Sequence, residues 1–345
     1  MTDRIVVIGA SFSRIDALAG LLGALPPRFP VPILIAQRIA SHSPGMLPDI
    51  LSEACRMPVA HPRSAQLIEP GHIYVAPPDR HMLVRIGGYI SLSHGPHENF
   101  ARPAIDPLFR SAALVYGPAV IGVVLTGELD DGTAGLLAVK ACGGTTVVQE
   151  PAEATAPSMP LSALHHVQVD HTCRLGYMAR LLTRLAADTP AEPTPDHARA
   201  LMEIENRIAE GIFTVDDWWQ LEQMSVPSGL NCPQCHSALY ELTEQPMLRF
   251  RCRSGHGFSA LTLLSRENNA RESQLSAIFG ILVEEITLSR RLLADPAYAT
   301  DLHITSGLAA RIVSLENEAA QISDWLHAMT GLVEPEPGRD DSSTE

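Results

Sequence analysis

Polar side chains follow three apolar runs of the sequence, at the points where strands are predicted to end. They are Ser11, Arg38 and the adjacent pair Asp130 and Asp131. Because the carboxyl ends of parallel strands meet at one edge of an open sheet, we expect these side chains to lie close together. A serine near a base and a carboxylate can act as a nucleophile, whereas a serine or an aspartate at a helix start can simply cap it. The residues alone leave both roles open for Ser11 and for Asp131.

The turn that contains Ser11 matches neither of two motifs that would decide its role. The segment Gly9-Ala10-Ser11-Phe12-Ser13 is not the G-x-S-x-G elbow of an α/β-hydrolase. It also lacks the glycines of a G-x-G-x-x-G dinucleotide fingerprint. A nucleotide-binding α/β protein that holds a phosphate at this turn is therefore the least favoured alternative.

Four residues in the second half of the chain have the spacing of a metal site: Cys232, Cys235, Cys252 and His256. They form a Cys-x2-Cys pair and a Cys-x3-His pair, separated by a short apolar hairpin. Three thiolates and one imidazole fill a tetrahedral Zn²⁺ site and leave no position for water, so a structural zinc ribbon is predicted. His236 could replace one ligand, and free thiols beside a histidine are the alternative without metal. The remaining cysteines are interpreted as isolated thiols: Cys55, Cys142 and Cys173.

The elements that must position these residues alternate between apolar strands and amphipathic helices. The run at 120–127 is apolar nearly throughout, as expected for a parallel strand that is buried on both faces. Gly87 and Gly88 between two alternating runs predict an antiparallel hairpin. The predicted fold class is α/β, with a doubly wound, mostly parallel sheet in three α/β/α layers that carries this hairpin. A small zinc ribbon and a helical hairpin are expected to follow.

Composition changes along the chain predict its division into segments. The proline-rich stretch 187–199 has almost no apolar residues and predicts a linker, and apolar stripes at helical spacing predict two helices near the C-terminus. The predicted segments are an α/β domain at 1–186, the linker at 187–199, a short helical segment at 200–229, the zinc ribbon at 230–260, a helical hairpin at 261–331 and a disordered tail at 332–345.

The charge balance disfavours two classes of partner. The chain has 25 basic and 39 acidic residues and a net charge of −14, which argues against nucleic acid and against an anionic membrane surface. No apolar run approaches the roughly 18 residues of a membrane span, and no signal peptide is recognised. Because the cysteines group as a metal site and not as disulfides, a cytoplasmic location without direct membrane insertion is expected.

The order of short motifs from residue 4 to about residue 185 resembles the catalytic domain of the chemotaxis protein-glutamate methylesterase (CheB) family. The matching motifs, in chain order, are GAS with IDAL, ILIAQR, PGHIYVAPPDRHMLV, GPHENFARPAIDPLFRSAALVYG, VIGVVLTGELDDGTAGLLAVKACGGTTVVQEP and PSMPLSAL. The resemblance implies hydrolysis of glutamate γ-methyl esters on chemoreceptors by a serine, a histidine and an aspartate at three strand ends. It places the serine at Ser11 and the aspartate at Asp131, whereas Arg38 stands at the position of the histidine.

The sequence departs from the family pattern in two places. Arg38 has no acceptor atom and stays protonated, so it cannot take the proton of the Ser11 hydroxyl. Loss of the base in a serine hydrolase costs on the order of 10⁶ in turnover. Phe-Ser-Arg at 12–14 stands where the family has a small residue and two glycines, and these side chains crowd the approach to substrate. His42 is the candidate substitute base, and His81 is a weaker one.

The resemblance leaves two functions open. The first is a methylesterase, a carboxylic ester hydrolase, with reduced activity on methyl-accepting chemoreceptors. The second is a catalytically degenerate binding or regulatory module that recognises receptor helices or a related signalling partner, with Arg38 binding a free carboxylate.

The C-terminal region and one loop carry further expectations from the resemblance. Members with a similar Cys/His segment and helical hairpin are stand-alone forms without a receiver domain, and the same is expected here. The zinc and helical region is then a candidate docking element or a route to homo-oligomers through the C-terminal helices. The segment 95–113 either fixes turns ahead of a helix or forms one wall of a receptor-binding cleft.

Overall fold

The α/β part of the chain alternates strands and helices, as its apolar runs predict. The computed structural model describes residues 4–11, 15–39, 43–190, 199–243, 245–296 and 302–330. The first elements are β1 (Ile5–Ser11), α1 (Ile15–Gly23), β2 (Ile33–Arg38), α2 (Leu47–Ala54), β3 (Val59–Ala60), β4 (Gln66–Leu67), β5 (Ile73–Val75), β6 (His81–Arg85) and β7 (Tyr89–Ser93). Next come α3 (Ile105–Tyr116), β8 (Val120–Val124), α4 (Thr133–Ala141), β9 (Thr145–Gln149), α5 (Ser158–His166), β10 (His171–Cys173) and α6 (Leu175–Ala187). Short 3₁₀ turns lie at Gly117–Ala119 and Pro151–Glu153.

Two helices, a second group of strands and two long helices complete the described elements. They are α7 (Arg199–Glu210), α8 (Val215–Gln223), β11 (Ser225–Asn231), β12 (Ala238–Leu242), β13 (Arg249–Cys252), β14 (Gly257–Ser259), α9 (Ala260–Ala294) and α10 (Leu302–Thr330). The contacts divide the chain into two units, Met1–Leu263 and Leu264–Glu345. None of the helices in the described part of the chain contains an apolar stretch of the length that a membrane span requires.

A parallel sheet of seven strands lies at the centre of the described α/β part. Its strand order is β10-β9-β8-β1-β2-β5-β3, and each of its pairings is parallel. The strand β1 lies between β8 and β2, and the register places Ser11 beside Arg38. A separate antiparallel sheet, β4-β7-β6, contains the hairpin that turns at Gly87 and Gly88. The predicted fold class is therefore confirmed.

Different helices cover the two faces of the central sheet. Successive side chains of a strand point to opposite faces, so Ile5 and Val7 pack with residues of α3, α4 and α5. Val6 and Ile8 pack on the other face with residues of α1, α2 and α6. All four side chains are fully buried, which explains why the strand is apolar throughout. The result is the three-layer α/β/α arrangement that positions the strand ends.

The antiparallel sheet β11-β12-β13-β14, which we call the Cys/His sheet, belongs to the same unit as the α/β part. Charged side chains join the two, and we call them the charge cluster: Glu98, Arg110, Glu205 and Arg251, which are buried, and Arg249, which is 12% exposed. Arg251 of β13 lies 2.9 Å from Glu98 and 2.7 Å from Glu205 of α7. Arg110 of α3 lies 2.7 Å from Glu98. Because buried charges are tolerated only when they are paired, these contacts fix the Cys/His sheet to the α/β part.

The second unit contains α10 and most of α9, which share an apolar core. The buried residues of this core are Leu282, Ile286, Ile312, Leu315, Ala319 and Ile322. Ion pairs between the helices flank the core, with Arg290 bound to Glu316 and Arg311 bound to Glu285. The core accounts for the apolar stripes that predict two helices in this region.

The structure differs from the predicted segments around residue 225. The sequence predicts helix across 200–229, whereas α8 ends at Gln223 and β11 begins at Ser225. Residues of β11 form hydrogen bonds with β12. This pairing between strands favours an extended conformation, although the local sequence pattern favours a helix. The predicted tail at 332–345 and residues 191–198 of the predicted linker lie outside the described residues.

Candidate active site and metal centre

Ser11 lies at the carboxyl end of β1, at the edge of the sheet where the polar strand ends meet. Its backbone N–H donates to the carbonyl of Thr126 at 3.3 Å, and its side chain is nearly buried. A Cβ at Gly127 would lie 2.8 Å from the Ser11 Cβ and 2.0 Å from the Met159 sulfur. Glycine is therefore required at 127, because only its backbone can approach Ser11 and Met159 so closely.

Asp131 lies in the loop after β8 and is fully buried. Its carboxylate accepts the backbone N–H of Ile105 at 2.9 Å, the backbone N–H of Asp106 at 3.4 Å and the side-chain amide of Asn99 at 3.3 Å. Ile105 and Asp106 begin α3, so Asp131 satisfies free N–H groups at the start of that helix. It does not cap the helix that follows it in sequence, because the cap residue of α4 is Gly132 without a side-chain bond.

Arg38 is the last residue of β2 and lies beside Ser11. Its positive charge acts on the carboxylates of Asp130 and Asp131, which follow β8. Burial raises the pKa of Asp131, and the Arg38 guanidinium acts in the opposite direction. The same charge opposes the effect of burial on the pKa of Asp130. Arg38 is thus an electrostatic partner of the carboxylates at this sheet edge. The structure brings together the three strand ends that the sequence singles out.

Asp106 is a second buried carboxylate of the site, and the sequence singles it out only as part of a turn. Its Oδ1 accepts the backbone N–H groups of Gly132 at 2.9 Å and Gly135 at 2.7 Å, at the start of α4. Asp131 therefore caps α3, which contains Asp106, and Asp106 caps α4, which follows Asp131. Burial and the neighbouring Asp131 carboxylate raise the pKa of Asp106 well above its usual range.

Asp130 contacts the end of the Cys/His sheet and the first turn of α9. It accepts the hydroxyl of Ser259 at 2.7 Å and the hydroxyl of Thr262 at 2.9 Å. Burial raises the pKa of Asp130, and these two hydrogen bonds oppose that effect. Two adjacent aspartates therefore divide their contacts between α3 and the Cys/His sheet.

Of the two candidate substitute bases, His81 and His42, the structure describes only His81. His81 is fully buried, and its Nε2 donates to the carbonyl of Pro96 at 3.0 Å. Its Nδ1 accepts the backbone N–H of Ala104 at 3.3 Å, and burial lowers the pKa of His81 to about 4. Both ring nitrogens are used within the fold, so His81 is a structural residue. His42, the other candidate, lies outside the described residues.

The four predicted ligands converge at one end of the Cys/His sheet, and we call them the Cys/His cluster: Cys232, Cys235, Cys252 and His256. Their ligand atoms all lie within 4.8 Å of one another. The Cys235 and Cys252 sulfurs are 3.6 Å apart, far longer than the ~2.05 Å of a disulfide. His256 Nδ1 lies 3.7 Å from the Cys232 sulfur and 3.5 Å from the Cys252 sulfur.

These separations are those of a tetrahedral metal site. With metal–sulfur bonds of ~2.3 Å and metal–nitrogen bonds of ~2.0 Å, the edges of the tetrahedron are roughly 3.5–3.8 Å long. Burial and the neighbouring Cys232 thiolate raise the pKa of Cys252 to about 12, because negative charges crowd there. A divalent cation removes that repulsion. The cluster can therefore hold a metal ion.

Comparisons with known proteins match the α/β part. A sequence profile of the CheB methylesterase family matches residues 6–182. A relative from Leptospira interrogans is 40% identical over 185 residues, which cover 54% of this chain and 96% of that protein. The protein-glutamate methylesterase/protein-glutamine glutaminase 1 of Geobacter metallireducens is 38% identical over 184 residues, 52% of this chain and 50% of that protein. The crystal structure of the Thermotoga maritima CheB methylesterase catalytic domain is 29% identical with a TM-score of 0.52, covering 54% of this chain and 100% of its own. The chain therefore belongs to the CheB methylesterase family.

Proposed function

We propose that this protein is a protein-glutamate methylesterase with reduced activity, in which Ser11 is the nucleophile. The observation that carries the proposal is the meeting of Ser11, Arg38 and Asp131 at one sheet edge in a CheB-type fold. The curated relatives are named as methylesterases and glutaminases, and both reactions begin with attack on a glutamyl or glutaminyl γ-carbonyl. The expected substrates are γ-methyl-esterified glutamates on methyl-accepting chemoreceptors or on a related signalling protein.

The chemistry follows from the groups present. The Ser11 oxygen adds to the ester carbonyl as its hydroxyl proton is lost, the carbon–methoxy bond breaks, and the methoxide takes up a proton and leaves as methanol. Water then hydrolyses the acyl-serine and releases the glutamate carboxylate. Arg38 can stabilise the developing negative charge but cannot accept the hydroxyl proton, so the first step relies on solvent or on a base such as His42. Slow turnover is the consequence.

The second candidate function is a binding module without turnover. Arg38 favours it, because a guanidinium at the sheet edge can hold the free carboxylate of an unmethylated glutamate in a bidentate pair. In that case the protein recognises receptor helices or another signalling partner as a regulatory element. Homo-oligomerisation through α9 and α10 fits either function.

Methanol release from a methylated receptor fragment distinguishes the two functions. We expect slow release by the wild-type protein and a loss of at least about tenfold in Ser11→Ala, because the hydroxyl is the attacking group. Ser52→Ala is the matched control, since that hydroxyl only contacts the carbonyl of Pro48 within α2. Equal rates for the wild-type protein and Ser11→Ala contradict esterase chemistry. Binding of the unmethylated fragment that is lost in Arg38→Gln then supports the binding module.

We further propose that the Cys/His cluster binds one structural Zn²⁺. Three thiolates and an imidazole suit this soft, tetrahedral ion, and no ligand position remains for substrate or water. We expect the purified chain to contain one zinc and Cys232→Ser to lose it, with a lower melting temperature. Cys55→Ser is the matched control and should keep its zinc, because Cys55 is an isolated thiol near Met57. Metal analysis by atomic emission together with calorimetry checks the prediction, and equal zinc content in both variants would contradict it.

A further inference from the structure

Asn99 connects Asp131 to the Cys/His sheet through both ends of its side-chain amide. The NH₂ group donates to Asp131 Oδ1 at 3.3 Å and to Asp106 Oδ2 at 3.2 Å. The amide oxygen accepts the backbone N–H of Ser259 at 3.0 Å. A backbone N–H can only donate and a carboxylate accepts, so this orientation of the buried amide is fixed. Asn99 therefore connects strand β14 with the carboxylate of Asp131.

Strand β14, which forms hydrogen bonds with Asn99, directly follows the Cys/His cluster in the chain. Strand β14 begins at Gly257, the residue after the ligand His256. The carbonyl of Gly257 accepts the backbone N–H of Asn99 at 2.8 Å. The carbonyl of His256 itself accepts the backbone N–H of Cys252 at 3.1 Å. The position of β14 thus depends on the ligands that surround the metal site.

The backbone at Asn99 and Phe100 adopts a conformation that needs external support. Asn99 has a φ of 52° and Phe100 a φ of 58°, in the left-handed region that a phenylalanine rarely occupies. The ring of Phe100 packs against Phe258 of β14, with ring centroids 4.7 Å apart. Such a conformation persists only where its surroundings impose it, and here the Cys/His sheet supplies them.

We propose that metal binding at the Cys/His cluster controls the active site, by fixing β14 and so holding Asn99 as the positioning residue of Asp131. Loss of the metal frees β14, the backbone at Asn99 and Phe100 relaxes, and Asp131 loses one of its donors. The catalytic consequence rests on the proposed esterase function, whereas the coupling between the metal and Asp131 rests only on the proposed zinc site.

Hydrogen exchange of the full chain, with zinc bound and after zinc removal by a chelator, tests the coupling. We expect amide exchange in 99–106 to accelerate by about tenfold or more after zinc removal, and to recover when Zn²⁺ is added back. The amides of β1 and β2 serve as the internal reference and should remain protected. Acceleration that is confined to 225–259 overturns the proposal.

Asn99→Ala tests the positioning role with the metal in place. The Asn99 hydrogen bond lowers the pKa of Asp131, so its loss should raise that pKa in a carboxyl-carbon NMR titration. Arg38 is unchanged in this variant, whereas the Asp106 carboxyl also loses its Asn99 donor, so its titration is followed alongside that of Asp131. Ser259→Ala is the matched control, because it removes the hydroxyl that donates to Asp130 and accepts the backbone N–H of Thr262, and it keeps the backbone donor to Asn99. An unshifted Asp131 titration in zinc-loaded Asn99→Ala overturns the proposal.

Ester hydrolysis separates this inference from the proposed function. We expect Asn99→Ala to lower kcat by about tenfold relative to Ser259→Ala at equal zinc content, since a hydrogen bond to a charged group is lost. If no form of the protein hydrolyses the ester, the proposed function fails, while exchange and titration still decide the coupling. If hydrolysis depends on Ser11 but neither zinc removal nor Asn99→Ala affects Asp131, the inference alone fails.

Discussion

Arg38→His is expected to raise the rate of glutamate methyl-ester hydrolysis by about 10²–10⁴-fold, the usual contribution of a general base. A neutral imidazole at the end of β2 lies beside Ser11 in the sheet and near the Asp131 carboxylate. It can take the hydroxyl proton on one nitrogen while Asp131 orients the other. Asp131 itself requires no change, because it is already held by its backbone donors from α3.

Methanol release over a range of pH measures this gain. Loss of the Arg38 charge raises the pKa of Asp131, so the gain should develop as the pH rises and Asp131 and the new histidine lose their protons. Arg38→Gln is the matched control: it removes the same charge without supplying a base, and we expect no gain. The double variant Ser11→Ala with Arg38→His should be inactive.

Absence of a gain in Arg38→His has a definite meaning. If wild-type hydrolysis depends on Ser11 and the new histidine adds nothing, a base is already present and His42→Ala should abolish the activity. If neither form hydrolyses the ester, restoring the histidine is not sufficient, the departure at residues 12–14 is the better explanation for the lost reaction, and binding through Arg38 becomes the favoured function.

The sequence predicts the parts of the site that lie at element boundaries. Ser11, Arg38 and Asp131 each end an apolar run, and parallel strands in one sheet necessarily place such ends at a common edge. The cluster of thiols and imidazole is equally accessible to sequence reasoning, because its two ligand pairs are local in sequence. Both predictions depend on residues that are close to one another in the sequence, so they do not require knowledge of contacts between distant segments.

The support of the site depends on long-range contacts that no local pattern contains. The sequence around Asn99 predicts only a loop residue. Its role follows from contacts with Ser259 of β14 and with Asp131, which are distant in the sequence. Glu98 and Arg251 are charged and would be predicted to lie in solvent, yet both are buried because their partners come from other segments. The pairing of β11 with β12 overrides local pattern in the same way.

Glu205→Ala is expected to destabilise the protein by about 3–5 kcal/mol, the cost of removing one carboxylate from a buried ion-pair network, because Arg110 and Arg251 then share Glu98 alone. The Glu205 carboxylate contacts Arg249 and lies 2.7 Å from Arg251, and both Glu205 and Arg251 are about 1% exposed. Glu203→Ala on the same helix is the matched control. Glu203 pairs with Arg199 at the surface, so its loss should cost less than about 1 kcal/mol. Urea unfolding at equal zinc content measures both, and equal losses would contradict a structural role for the charge cluster.

The difference in unfolding free energy between the wild-type protein and Glu205→Ala should depend on pH if it arises from the charge of Glu205. Burial alone would raise the pKa of Glu205, but Arg249, Arg251 and Arg110 outweigh it and lower the pKa to about 2, from an ordinary value of 4.5. A carboxyl group with a depressed pKa stabilises the folded state fully above its unfolded pKa and loses that contribution as the pH falls through the folded value. The gap in unfolding free energy between the wild-type protein and Glu205→Ala should therefore be constant near neutral pH and narrow between about pH 4.5 and pH 2. A gap that stays constant through this range would mean that packing of the side chain, and not its charge, joins the Cys/His sheet to the α/β part.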